Sequence, residues 1–206
     1  MEAITNKPTS TKKVNVRNLV KIAMLAAAAT LLMLFEIPLW FAPSFYEIDL
    51  SEVAVLIGAF AMGPVAGIII EALKIILNLL INGTVTAGIG EFANFLIGCS
   101  LIVPAAILYR SGKSKKSALI GMAAGTVLMT IIGALINAYV LLPVYANVFG
   151  MPISALIEMG SKVNGNITDM TTFIILAVVP FNLLKGALTA VITMLLYKRV
   201  SILLHK

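Results

Sequence analysis

Six apolar stretches separated by short polar segments dominate the chain. They are Leu19–Phe35, Val53–Met62, Val65–Ile81, Phe92–Leu108, Ala118–Leu142 and Met170–Leu196. Apolar runs of roughly 17–25 residues are typical of transmembrane helices. The second and third stretches meet at Gly63-Pro64, so the pattern alone leaves open whether they form one long tilted helix or two.

The positions of the charged residues favour two helices. Basic clusters precede the first stretch, follow the fourth and follow the last: Lys7, Lys12, Lys13, Arg17 and Lys21; Arg110, Lys113, Lys115 and Lys116; and Lys198, Arg199 and Lys206. Such clusters mark cytoplasmic segments, so an even number of crossings must separate the first two clusters. The acidic residues fall in the opposite, outer segments: Glu36, Glu47, Asp49, Glu52, Glu91, Glu158 and Asp169.

These patterns predict an all-α integral membrane protein, a six-transmembrane-helix bundle with both termini cytoplasmic. Residues 1–16 are expected to form a cytoplasmic tail and residues 17–206 a single membrane domain. The second stretch is short for a crossing, so we expect it to be shielded by other helices or lengthened by Ile48–Ser51.

The composition supports this assignment. The chain is 60% hydrophobic and 12% charged, with a mean hydropathy of +1.05, whereas soluble domains are about 25% charged. A single cysteine, Cys99, excludes an internal disulfide framework and a cysteine zinc cage. Gly112-Lys113-Ser114 lacks the spacing of a nucleotide-binding P-loop, and no catalytic motif is present. We therefore expect a protein without enzymatic activity or cofactor, and no nucleic-acid partner.

The last apolar stretch contains Asn182 and Lys185, which share one helix face. Lys185 lies about 18 Å from the helix end at Tyr197, too far for its ammonium to reach that interface easily. A lysine at the centre of a membrane helix costs roughly 2.5–3.5 kcal/mol, so it should face a wet cavity, a partner or a ligand. Asn94 and Asn137 occupy the outer halves of two other stretches. Carboxamides offer paired donors and acceptors, which suit the polar edge of an uncharged heterocycle.

Three further segments have two interpretations each. At Gly88–Phe95, Glu91 can cap a helix, or Gly90 and Asn94 can face a ligand. Asp49 or Ser51 can cap the second helix, leaving Glu47 free to close over an outer pocket. Glu71, Lys74 and Asn78 share a face of the third helix, where Glu71 and Lys74 form either a self-neutralising pair or a proton relay.

The first stretch contains an alanine strip, Ala23 with Ala26–Ala29. Such a strip allows close approach of another helix, either within this chain or from a separate subunit.

With these residues identified, the chain resembles the riboflavin-binding S components of energy-coupling factor (ECF) vitamin transporters. The segments that carry the resemblance are Glu47–Val53, Leu56–Pro64, Gly88–Phe95, Asn137 with Leu142–Tyr145, and Pro180–Gly186. The resemblance implies a bacterial plasma-membrane subunit that captures riboflavin near its outer face and joins a transmembrane T component and two ATPase subunits. It further implies ligand contacts from Glu47, Gly90, Asn94, Asn137, Asn182 and Lys185, and docking of the T component on Ala23 and Ala27.

Three alternatives remain open from the sequence. The chain can be an S component for another vitamin, such as thiamin or pantothenate. It can be a stand-alone secondary carrier that couples protons through Glu71 and Lys74. A membrane enzyme is the least favoured, because no catalytic dyad is present.

Overall fold

The computed structural model describes residues 16–43, 45–84, 86–148, 150 and 152–204, with the side chains of 197–204 excepted. The predicted tail lies outside this part of the chain apart from Val16, as do the basic residues Lys7, Lys12, Lys13 and Lys206.

The described residues form a helical bundle with a small outer ribbon. Its elements are α1 (Val16–Met33), β1 (Ile37–Pro38), β2 (Glu47–Ile48), α2 (Ser51–Met62), α3 (Pro64–Asn82), α4 (Ile89–Gly112), α5 (Lys115–Ile136), α6 (Leu142–Val148), α7 (Ile153–Val163), α8 (Met170–Phe173) and α9 (Val179–Leu204). A π-helical turn, Asn137–Leu141, joins α5 to α6, and a second, Ile174–Val178, joins α8 to α9. Within the described ranges, five helical segments are long and apolar enough to cross a membrane, and α2 is a shorter apolar helix.

The second and third apolar stretches are two helices, as the charge pattern predicted. Gly63 joins them with φ +100°, a backbone conformation that side chains with a Cβ rarely adopt, and Pro64 begins α3. Helix α2 packs against α1, α3, α4 and α9, and nine of its twelve residues are buried. Shielding by neighbouring helices therefore compensates for its length. The alternative, an extension through Ile48–Ser51, holds only for Ser51, because the helix begins there and Ile48 pairs in the ribbon.

Close helix contacts hold the apolar core of the bundle together. Gly121 and Gly125 of α5 face the backbone of Ala105 and Leu101 of α4, where an added Cβ would collide. On α1, Ala26 and Ala29 are buried in the same apolar core. The small residues thus permit the tight packing that side-chain dispersion requires.

The end of the bundle opposite the Gly63-Pro64 turn carries a ribbon that the helical pattern did not predict. Strands β1 and β2 pair antiparallel, with Ile37 opposite Ile48 and Pro38 opposite Glu47. The ribbon follows α1, which ends at Met33 rather than at the predicted Phe35 because the chain turns there. It brings the acidic residues of this segment together above the bundle.

The π-helical turn after α5 sets the orientation of the residues around it. In an α-helix, positions four residues apart drift by about 40° around the axis. The wider π-helical turn, with its i to i+5 hydrogen bonds, counteracts that drift. Asn137, Leu141 and Tyr145, each four residues apart, consequently border the same cavity.

Candidate ligand-binding site

An open cavity lies where the ribbon meets the first turns of α4 and α9, the π-helical turn after α5, and α6. It holds about 790 Å³ of empty space, part of which is its open mouth. Its lining combines aromatic, amide and charged side chains: Glu36, Phe45, Tyr46, Glu47, Asp49, Gly90, Asn94, Ile97, Asn137, Leu141, Tyr145, Phe181, Asn182 and Lys185. A cavity with apolar walls and a few convergent polar groups is the usual form of a small-molecule site.

Three amides contribute to this lining in different ways. Asn182 donates Nδ2–H to the Val178 carbonyl at 2.9 Å, which leaves its Oδ1 to accept from a ligand. Asn137 donates to the Gly133 carbonyl at 2.8 Å and accepts from the Tyr46 hydroxyl at 2.6 Å. Asn94 has no hydrogen-bond partner among the described residues. Asn94 and the Asn182 Oδ1 are therefore the amide groups most available to a ligand.

Lys185 reaches the cavity as one half of a buried ion pair. Its Nζ donates to Asp49 Oδ2 at 2.9 Å, and Asp49 Oδ1 accepts the Ser51 amide at 2.8 Å. Burial alone would raise the pKa of Asp49, but the Lys185 and Lys74 ammonium groups and these hydrogen bonds hold that pKa well below its ordinary value. Asp49 thus fixes the ammonium and accepts the first backbone amide of α2 at the same time. The predicted cap by Asp49 or Ser51 is wrong, because Leu50 holds the N-cap position without a side-chain cap and Ser51 is the first helical residue.

Two further carboxyl groups, those of Glu36 and Glu47, border the mouth of the cavity. Partial burial of the exposed Glu36 side chain, a hydrogen bond with the Glu47 side chain, and repulsion from Glu47 and Asp49 raise the pKa of Glu36 to about 7, against the attraction of Lys185. The ribbon is the cause of this arrangement, because its register brings the carboxyls of the 36–49 segment to one edge of the cavity. Both carboxyls can accept hydrogen bonds from ligand hydroxyl groups.

Aromatic rings form the remaining wall. Tyr46 lies 4.8 Å from Phe45 and 5.2 Å from Phe181 between ring centroids, and Phe45 meets Tyr145 edge-on at 6.0 Å. Burial raises the pKa of Tyr46 above its usual value, so its hydroxyl stays protonated and can keep donating to Asn137. Such a wall suits a flat conjugated ring.

All six residues that the sequence suggested as ligand contacts border this one cavity: Glu47, Gly90, Asn94, Asn137, Asn182 and Lys185. The interpretation of Glu91 as a helix cap is wrong. Helix α4 begins at Ile89 after Gly88, and Glu91 instead accepts a hydrogen bond from Thr86.

The sequence did not single out Glu36, Tyr46 or Asp49 as cavity residues. Asp49 is 136 positions from Lys185 and Tyr46 is 91 positions from Asn137, so no local spacing reveals either contact. The aromatic pair Phe45-Tyr46 next to Glu47 was the one available signal.

Below the cavity, a second ionic cluster is fully buried. Lys74 Nζ lies 2.8 Å from Glu71 Oε1 and 2.9 Å from Glu52 Oε1, and it donates to Ser51 Oγ at 3.2 Å. Glu71 and Lys74 therefore do form the predicted internal pair, but Glu52, which the sequence placed in an outer segment, completes it. Among the described residues, no group of three or more His, Cys, Asp or Glu side chains is arranged to hold a metal ion.

The alanine strip on α1 divides into two faces. Ala26 and Ala29 are buried against α2 and α3, whereas Ala23 and Ala27 are exposed together with Met24. The outward pair is four residues apart, one helical turn, and so presents a shallow surface on the outside of the bundle.

Comparison with known proteins identifies the class to which this architecture belongs. A family model described as "ECF transporter, substrate-specific component" matches residues 17–197. A solved structure entitled "Structure and mechanism of the S component of a bacterial ECF transporter" superposes with a TM-score of 0.73 at 32% identity, covering 93% of this chain and 99% of that one. The chain belongs to the substrate-specific components of ECF transporters, and it is a multi-pass bacterial membrane protein and not an enzyme.

Its curated relatives carry more specific names. It is 33% identical over 185 residues to the riboflavin transporter RibU of Staphylococcus aureus, with 90% of each chain covered. It is 32% identical over 183 residues to the riboflavin transporter FmnP of Bacillus subtilis, with 88% of this chain and 90% of that protein covered.

Proposed function

We propose that this chain is the riboflavin-capture subunit of an ECF transporter in the bacterial plasma membrane. The observation that carries the proposal is the convergence of three amides, one ammonium and an aromatic wall on a single outer cavity. The names of its RibU and FmnP relatives support riboflavin as the ligand. In this function, the chain binds the vitamin but performs no chemistry on it.

The chemistry of the lining matches that of a flavin. The tricyclic ring is flat and uncharged, so it can pack against Tyr46 and Phe181. Its pyrimidine edge carries an imide N–H and carbonyl oxygens, which complement the Asn182 Oδ1 acceptor and the Asn94 amide. The Lys185 ammonium can donate to a ring or chain oxygen while Asp49 keeps it in place. Glu47 at the mouth can accept from the hydroxyls of the ribityl chain.

The proposed topology has six crossings with both termini in the cytoplasm. Helix α2 provides the short second crossing, and the Gly63-Pro64 turn is the inner connection. Arg110, which belongs to the second basic cluster, supports this assignment because its guanidinium lies 3.4 Å from the position of an added Gly63 Cβ. The turn and the basic cluster are thus at the same end of the bundle.

Transport then requires partner subunits. The chain carries no nucleotide-binding motif, so ATP hydrolysis belongs to other chains: a transmembrane T component and two ATPase subunits. The exposed pair Ala23 and Ala27 offers the T component a helix surface without bulky side chains.

Mass spectrometry of the ligand extracted from gently purified protein tests the proposal, together with quenching of flavin fluorescence on titration. Co-purified riboflavin and stoichiometric quenching are expected. Colourless protein that leaves added flavin fluorescence unchanged would contradict the assignment. A competition series with thiamin and pantothenate separates it from an S component for another vitamin.

The proton-coupled carrier makes a different prediction. It requires uptake without partner subunits and loss of that uptake on Glu71→Gln. Glu71 and Lys74 are completely buried and do not border the cavity, so no observation favours this function over vitamin capture.

A further inference from the structure

The charge of the cavity is unbalanced at its mouth. Lys185 and Asp49 neutralise each other at 2.9 Å. Glu36 and Glu47 remain, and the charged residues that face them are Asp49 from the same segment and Lys185 from α9. The lining therefore carries three carboxyls and one ammonium, while the phenols of Tyr46 and Tyr145 add no charge near neutral pH.

A separate feature favours one position for a ligand within the cavity. Asn182 lines the cavity, and its Nδ2 is already used on the Val178 carbonyl. Its Oδ1 accepts no hydrogen bond from the described residues, so it can accept one from a ligand or from water. If the ring of the proposed ligand occupies this inner, amide-lined part, its substituent chain extends towards Glu36 and Glu47.

We propose that Glu36 and Glu47 form a selectivity filter that favours the uncharged vitamin over its phosphorylated form. The inference rests on the proposed function and adds Glu36 to the six residues that the resemblance implies as ligand contacts. A phosphate ester at the end of the chain carries between one and two negative charges near neutral pH. The two carboxyls repel that phosphate, whereas they accept hydrogen bonds from the hydroxyl of the unphosphorylated chain.

The size of the effect follows from Coulomb's law. At an effective dielectric constant of about 40 and a separation of roughly 10 Å, removing one carboxylate charge should improve binding of a dianion by about tenfold. The interaction spans about one Debye length at 0.1 M salt, so added salt should reduce the improvement. These two dependences distinguish a charge effect from a change in the shape of the mouth.

Parallel fluorescence titrations with riboflavin and riboflavin 5′-phosphate at pH 8 and low salt test the filter. The measured quantity is the ratio of the Kd for the phosphate ester to the Kd for riboflavin. We expect Glu36→Gln to lower this ratio by about 5- to 20-fold, and Glu36→Lys to lower it further. Glu158→Gln is the matched control, because Glu158 is an exposed outer residue on α7 that does not line this cavity.

A pH series adds an independent readout. Because the pKa of Glu36 is about 7, its carboxyl gains negative charge as the pH rises from 6 to 8. The ratio should therefore increase more steeply with pH in the native protein than in Glu36→Gln. Comparing the two proteins removes the contribution of the ligand phosphate, which also ionises near pH 6.

Each outcome has a separate meaning. Absence of riboflavin binding to the native protein would refute the proposed function itself. Normal riboflavin binding with the same ratio in the native protein, Glu36→Gln and Glu36→Lys would overturn the filter alone. An equal change in Glu158→Gln, or a change that 0.5 M salt does not reduce, would also overturn it.

Discussion

Replacing Lys185 with methionine should separate its role in stability from its role in binding. Lys185 is 7% exposed and Asp49 is 4% exposed, so the substitution leaves a buried carboxylate without its ammonium. Breaking a buried ion pair from one side costs about 3–5 kcal/mol. Asp49 keeps the Ser51 amide and the nearby Lys74 ammonium, so we expect about 2–3 kcal/mol. For a chain of this size that corresponds to a fall of about 5–10 °C in Tm.

The double variant Asp49→Asn/Lys185→Met removes both charges. Its Tm should recover most of the loss, because no unpaired buried charge remains. Its riboflavin affinity should stay at least about fivefold below that of the native protein, because the ligand still lacks the ammonium donor. Lys162→Met, on the surface of α7, is the control and should change neither quantity.

Thermal unfolding in detergent and fluorescence titration measure the two quantities on the same preparations. Native affinity in the Lys185→Met protein would show that Lys185 does not contact the ligand. If the double variant instead binds like the native protein, Lys185 acts only by neutralising Asp49. A double variant no more stable than Lys185→Met would refute the account of the ion pair.

Three further substitutions test other parts of the molecule. Asn182→Leu should weaken riboflavin binding by at least about 1 kcal/mol in a titration, because it removes the free Oδ1 acceptor; native affinity would exclude Asn182 from the site. Tyr46→Phe removes the 2.6 Å hydrogen bond to Asn137 and should lower the free energy of unfolding by about 1 kcal/mol, which thermal unfolding measures as a lower Tm. An unchanged Tm would mean that this hydrogen bond does not contribute to stability. Ala27→Trp should abolish co-purification with the T component while leaving riboflavin affinity unchanged. Ala187→Trp, on the exposed face of α9, is the control and should change neither quantity. Equal loss of the complex in both variants would argue against docking on α1.

The sequence was sufficient for the parts of the fold that depend on local pattern. Runs of apolar residues gave the membrane-spanning helices, and the basic clusters separated α2 from α3 at Gly63-Pro64. The polar residues of the cavity were also recognisable, because an amide or ammonium group within an apolar membrane helix has a free-energy cost that a ligand or partner must offset.

What the sequence did not reveal depends on contacts between distant segments. The ribbon has two residues in each strand, too few for an alternating pattern to be recognised. The pairing of Asp49 with Lys185 depends on how the outer segment folds over α9. The contact of Glu52 with Lys74, by contrast, could have been predicted from the sequence. Each residue is 11 positions from Gly63, so a helical hairpin folded at that glycine brings them to the same level.

The shortness of α2 determines how deep the cavity lies. Twelve helical residues span about 18 Å, whereas the hydrocarbon core of a bilayer is about 30 Å thick. With the Gly63-Pro64 turn at the cytoplasmic surface, as proposed above, Ser51 lies roughly 12 Å beneath the outer surface, next to the cavity residue Asp49. A captured vitamin would thus have travelled about two fifths of the way across before any ATP is spent. The partner subunits would then have to open only the protein between the cavity and the cytoplasm, which is about 18 Å thick, the length of α2.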